Sequence, residues 1–142
     1  MANVVFNRFK LGLLGGEYDL SNGGDTIKIA LVTSSYTADI DAHEDFADIS
    51  NEVSGTGYSA GGTSLANQLV TQDNTDDEGV FDADDVTWST ATIVARQAII
   101  YQSSGAAATS LLIAAIDFAA DKTASGGDFK ITWDSEGIIN LG

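Results

Sequence analysis

Three stretches of the chain hold residue types with the makings of chemistry. The first is His43, the only imidazole present. Any Ser–His–Asp arrangement would need it as the base. It lies in an acidic stretch, 39–50 (DIDAHEDFADIS), where a lone histidine reads as a surface or half-buried helix residue. The second stretch is Gly55–Gly62 (GTGYSAGG), which is superficially like a phosphate-cradling loop. It lacks the Walker lysine, and Ala60 stands where Gly-x-Gly-x-x-Gly needs its third glycine. The expectation is a conformationally special loop anchored by Tyr58. The third stretch is Asn74–Asp85 (NTDDEGVFDADD), which aligns in part with a calcium-binding EF-hand loop. Asp76, Glu78, Asp82 and Asp85 are the calcium candidates, with Gly79 at the sharp turn and Phe81 at the apolar position. Asn74 replaces the first aspartate, Asp85 replaces the bidentate glutamate, and no helix pair is predicted on either side. A solvated acidic turn is the expectation, with no cofactor. Among 21 acids, a carboxylate pair suited to glycoside hydrolysis carries no information. No enzyme is expected.

What positions these residues is bounded by length and composition. A chain of 142 residues suggests a single domain, 1–142, able to build a core unaided. The absence of cysteine excludes disulfides, thiolate zinc sites, iron–sulfur clusters and thiol catalysis. The net charge of −15 disfavours nucleic acid and anionic membranes as partners. The hydrophobic content of 44% argues against disorder. The longest apolar run, Leu111–Ile116, is too short to cross a bilayer. Val4–Phe6 is soon broken by Asn7, Arg8 and Lys10, so no secretory apolar stretch is expected. Without proline, turns must rely on Gly, Asn, Asp and Ser.

Periodicity then predicts the elements. Residues 3–14 place Val5, Phe6, Phe9 and Leu13 at spacings of three and four. This predicts a short amphipathic helix with Asn3 as N-cap and Gly15–Gly16 as the stop, a strand being the alternative. Thr26–Thr33 alternates Ile27, Ile29 and Leu31 against Lys28, Ala30 and Val32, which predicts a strand. Asp39–Ser50 has a cap and an acidic first turn and predicts a second short helix. Further strands are predicted at Ser64–Thr71, Val86–Trp88, Thr92–Gln102, Leu111–Phe118, Phe129–Trp133 and Ile138–Leu141. Turns are expected at Ser103–Gly105, Thr123–Asp128 and Asp134–Gly137. Thr92–Gln102 and Leu111–Phe118 are apolar on both faces, as central strands are. Together these predict a mainly β, β-sandwich-like domain with one or two short helices near the N-terminus.

The charge is unevenly placed. No Lys or Arg occurs between Lys28 and Arg96, and that interval holds 13 acids. All of them fall in 39–52 or 73–85, segments expected to be exposed.

Four segments carry a resemblance: 27–62 (IKIALVTSSYTADIDAHEDFADISNEVSGTGYSAGG), 76–88 (DDEGVFDADDVTW), 91–101 (ATIVARQAIIY) and 117–141 (DFAADKTASGGDFKITWDSEGIINL). With the opening MANVVFNRFKLGLL, they resemble a family of small structural proteins of tailed bacteriophages and prophages. The resemblance covers nearly the whole chain, and EVSGTGY-xx-GG, DADDVTW and GDFKITW-xxx-GI are its most specific parts. It implies a virion component made in the bacterial host cytoplasm, with no enzymatic activity or cofactor. Within the virion it suggests a capsid decoration (cement) protein bound to the major capsid protein or other virion proteins. Such a subunit is expected to be a homo-oligomer, a trimer or dimer.

The N-terminal segment, 1–16, is the candidate contact arm. Val5, Phe6, Arg8, Phe9, Lys10 and Leu13 are its candidate contacts, facing the shell, with the two acidic segments as a solvated exterior. Packing of this segment on its own domain is the alternative. Two other functions compete: a tail or neck component of the same virion, and a carbohydrate- or calcium-binding β-sandwich used in host attachment. The last would use Trp88, Trp133 and the tyrosines Tyr18, Tyr36, Tyr58 and Tyr101 as stacking platforms.

Overall fold

The computed structural model describes residues 2–142; Met1 lies outside them. The fold is mainly β, with two antiparallel sheets and one α-helix near the N-terminus. The strands are β1 (Val4–Val5), β2 (Ile27–Val32), β3 (Thr63–Ser64), β4 (Leu69–Asp73), β5 (Glu78–Asp82), β6 (Val86–Gln102), β7 (Leu111–Ile131) and β8 (Ile139–Leu141), and the helix is α1 (Asn7–Gly15). The larger sheet has the order β1-β7-β6-β2-β3 and the smaller β4-β5-β8.

The period-two reading of β2 holds. Ile27, Ile29 and Leu31 enter one buried cluster, and Ala30 and Val32 enter another. The same alternation runs through β6, where Ala98 and Ile100 face the first cluster and Ile99 and Tyr101 the second. The larger sheet is thus buried on both faces, which explains why its central strands are apolar throughout. The first cluster extends from Phe9 to Ile139 and takes in Phe81 and Ile139 of the smaller sheet. The second is roofed by the connection after β2, through Tyr36, Ala38, Phe46 and Ile49.

Several boundaries differ from the sequence-based expectations, each for a local reason. The predicted strands Val86–Trp88 and Thr92–Gln102 are one strand, β6. Leu111–Phe118, the predicted turn Thr123–Asp128 and most of Phe129–Trp133 are likewise one strand, β7. The Ser/Gly-rich segment 125–127 is kept in the strand by pairing with β6 on either side, Ala91↔Gly127 and Thr92↔Ser125, with Gly126 bulged out at φ 69°. Propensity loses there to a cross-strand partner. Between Ala95 and Gln97 the register slips, and Ala119 on β7 has φ 65°. That bulge bends the ribbon, as extra residues on one strand do. The predicted strand Ser64–Thr71 splits into β3 and β4 around Asn67, whose φ is 52°.

The predicted helix at 39–50 is not formed; only Phe46–Asp48 makes a 3₁₀ turn. The aspartates responsible are those that suggested a capped helix. Asp39 accepts the N–H groups of Asp41 and Ala42, and Asp48 accepts those of Glu44 and Asp45. Short carboxylates compete with the helical ladder for these donors. Those hydrogen bonds also hold both carboxyl groups below the usual aspartate range.

Candidate assembly surface

At the N-terminus, helix and strand occur in succession. Val4 and Val5 pair with Ala115 and Ala114 of β7, and the helix follows. Phe6 is the N-cap residue and makes no side-chain cap. Asn3, the expected cap, instead accepts the Asp117 N–H with its side-chain oxygen at 2.6 Å, bracing β1 on β7. At the other end Gly16 takes the left-handed conformation, φ 71°, and closes the helix.

The helix buries the stripe that its sequence advertises. Phe6 and Phe9 are fully buried in the domain's own core, one in each cluster, so neither is free to touch another molecule. Val5 and Leu13 pack partly against the first cluster. Gly12 is needed here because a Cβ would lie 2.2 Å from the Tyr18 ring. Arg8 forms an ion pair with Glu17 at 2.5 Å. Lys10 is exposed, its ammonium donating to the Asn7 side chain at 3.2 Å.

Two leucines outside the predicted contact set stand in solvent. Leu11 is 66% and Leu14 91% exposed. With Asn7 they form an i, i+4, i+7 stripe along the helix. Ile40, also exposed, adjoins its start through the Asn7 N–H bond to the Ile40 carbonyl at 3.2 Å. The legible clue was that both leucines lie off the amphipathic stripe. A domain's own core takes the stripe; the apolar residues left over are those available to others.

The expected division into an acidic exterior and an opposite contact end does not hold for the 39–52 segment. Asn7 donates its side-chain amide to Asp41 at 2.6 Å, so that segment lies directly beside α1.

The four calcium candidates do not converge. Their stretch is a β-hairpin, β4–β5, rather than an EF-hand loop. Glu78 accepts from Asn140 across the smaller sheet. Asp85 accepts the Trp133 N–H and pairs with Lys130 at 3.1 Å. Asp82 stands on β5 opposite Leu69. Asp76 lies instead with Asp73 and Glu136, their carboxylate oxygens all within 4.8 Å of one another.

The other candidates hold the fold together. His43 stacks on Tyr36, and its Nδ1 lies 2.9 Å from the Tyr36 hydroxyl. The Asp39 N–H also donates to that nitrogen, at 3.3 Å. The buried Tyr36 phenol is pushed up to about 12 by desolvation, with Asp48 and Asp39 adding to the rise.

The glycine loop is a structural clamp. The Tyr58 hydroxyl receives the Leu31 N–H at 2.9 Å and donates to Glu52 at 2.7 Å. Glu52 also accepts the Gly61 N–H at 2.6 Å, and the Gly61 carbonyl accepts the Tyr101 hydroxyl at 2.7 Å. Burial raises the Tyr58 phenol well above its usual value, against the Leu31 N–H, and Glu52 raises it further. At Gly62, with φ 70°, a Cβ would sit 1.8 Å from the Ile29 carbonyl oxygen. The same loop contains Gly57–Tyr58–Ser59–Ala60–Gly61, the spacing serine hydrolases use for a nucleophile. That spacing acts at a strand-to-helix turn. Here no helix follows, and among the described residues no hydrogen bond joins Ser59 to His43.

Trp88 and Trp133 are buried, so neither is a sugar platform. Trp88 is the cross-strand partner of Phe129, with the rings edge to face at 6.0 Å. An open groove of about 490 Å³ runs along β7 beside Asn3, Phe118 and Lys122. Two of its charged groups are already paired, Asp117 with Arg96 and Lys130 with Asp85. Among the described residues no helix is long and apolar enough to cross a membrane. No protein-family model, curated protein or solved structure matches the chain.

Proposed function

We propose that this protein is a structural component of a tailed-bacteriophage virion, and within it a decoration protein that binds the outer capsid shell and stabilises it. The sequence resemblance supplies the virion. The observation that carries an assembly role is the exposed Leu11–Leu14 stripe on a helix whose opposite side is locked into the core. A rigid sheet presenting a small apolar stripe suits a subunit that binds a repeating lattice. Each contact is then weak, and the array is strong.

Lys10 beside the stripe adds a positive charge to an otherwise acidic chain. The glycine clamp serves the same end by holding the sheet rigid at no cost in exposed apolar surface.

The test is co-sedimentation with capsids of the parent phage lacking this protein. Wild-type chain should bind at hundreds of copies per particle and raise the particle's heat tolerance. Leu11→Asp with Leu14→Asp should fold and fail to bind. A copy number of a dozen or fewer would place it in the tail or neck instead; equal binding by the double variant would remove the stripe from the interface.

A further inference from the structure

The smaller sheet ends in an open strand. β4 pairs with β5 on one side, and among the described residues no strand lies on the other. Among the described residues no hydrogen bond from outside that ladder reaches the backbone of Leu69–Gln72. The edge is apolar on both faces, with Leu69 54% and Val70 53% exposed. Natural sheets blunt such edges with a lysine, a proline, a bulge or a covering loop. None of these occurs in Leu69–Asp73, which runs five residues in unbroken register with β5. The edges of the larger sheet, β1 and β3, are only two residues long, and β8, the smaller sheet's other edge, is three.

Negative charge is heaviest at the Asp73 end of this edge, although Asp82 and Asp84 stand near the Leu69 end. Asp73, Asp76 and Glu136 crowd together, and Asp77 and Glu78 follow in the turn and at the start of β5. Among the described residues the ion pairs join Arg8 to Glu17, Arg96 to Asp117 and Lys130 to Asp85, and none of these five takes part in them. A second copy pairing antiparallel would lay its own Leu69 end beside these acids, with Asp82 opposite Leu69 and Asp84 bonded to Asn67, and would add negative charge rather than relieve it. A strand with basic residues at one end would relieve it.

We propose that β4 is a docking edge for an extended segment of another protein, which adds antiparallel to Leu69–Asp73 with Lys or Arg residues at its N-terminal end, beside Asp73 and Asp76. Backbone hydrogen bonds supply the affinity, and the charge fixes direction and partner. Leu69 and Val70 give the incoming strand an apolar contact on each face. This site is separate from the α1 stripe and stands whether or not the capsid is the partner of that stripe.

The probe is a fluorescent peptide of alternating Thr and Val with two arginines at its N-terminal end, followed by anisotropy with the full chain. A control peptide carries two glutamates there. The arginine peptide should bind at least about tenfold more tightly, with the difference shrinking as salt is raised. Val70→Pro and Thr71→Pro are both made, because adjacent residues point their N–H groups to opposite sides of a strand. One of the two keeps the β5 ladder intact, and circular dichroism identifies it. That folded variant should lose binding. Asp73→Asn with Asp76→Asn should erase the preference for arginine. Three results overturn the proposal: no binding by the arginine peptide, equal binding by the folded proline variant, or a wild-type dimer in light scattering that the proline substitution dissolves. The last would show that a second copy covers the edge.

Discussion

The Tyr58 hydroxyl donates to the Glu52 carboxylate at 2.7 Å while accepting the Leu31 N–H at 2.9 Å, so one phenol ties the glycine loop to a strand of the larger sheet. Removing it leaves two partners unmet in a partly buried place. Tyr58→Phe should therefore destabilise the fold by about 1–3 kcal/mol, read as a shift in the urea midpoint. No change in the midpoint would mean that water replaces the hydroxyl without loss.

Gly62→Ala tests the other half of the clamp. The added methyl meets the backbone of β2 rather than a flexible side chain, and φ is positive there. The loss should exceed that at Gly126, where φ is also positive and nothing lies within 4 Å of the added carbon. Comparable losses for the two variants would show strain alone, with no role for the close approach.

Acid should loosen the connection that roofs the second cluster. Asp39 and Asp48 have carboxyl groups lowered by backbone N–H donors. A lowered folded value contributes stability above the unfolded value of about 4 and loses it as pH falls through the folded value. Melting temperature should fall as pH drops below about 4. Asp39→Ala with Asp48→Ala should start lower at neutral pH and show a shallower fall. A parallel decline in the variant would assign the acid sensitivity to other carboxylates.

Calcium should do little. Glu78 and Asp85 are committed to Asn140, Trp133 and Lys130, and the four candidate ligands do not face a common point. Adding EDTA or millimolar calcium should leave the melting temperature unchanged. A calcium-dependent rise abolished by Asp76→Asn would reinstate a site at the hairpin turn.

Much of this was legible in the sequence where one period dominates. The alternation of Ile27–Val32 named both faces of β2 correctly because each face has its own cluster to enter. Tyr58 was legible as an anchor because an aromatic amid glycines has few other uses. The misreadings share a cause in residues with two competing uses. The aspartates of 39–48 look like helix caps but take backbone donors for turns of their own. The acids of 76–85 look like ligands but are spread from the hairpin turn (Asp76, Asp77) along β5 (Glu78, Asp82) to the segment beyond it (Asp84, Asp85). At α1 the sequence marked the stripe that the domain itself consumes, Phe6 and Phe9. Which apolar residues are left for others is a property of the packed fold, since it depends on where β7 lies.

The bend at Ala95–Gln97 and Ala119 has a mechanical consequence. Both β6 and β7 continue through it as strands, so a load applied at the open end of the ribbon, at Val86 and Ile131, reaches the part paired with β2 through two continuous strands rather than a flexible tether. The bulge sets the angle between those two regions. Deleting an extra residue there should re-aim the whole distal ribbon as a unit, much as shortening one side of a truss changes its pitch without loosening its joints.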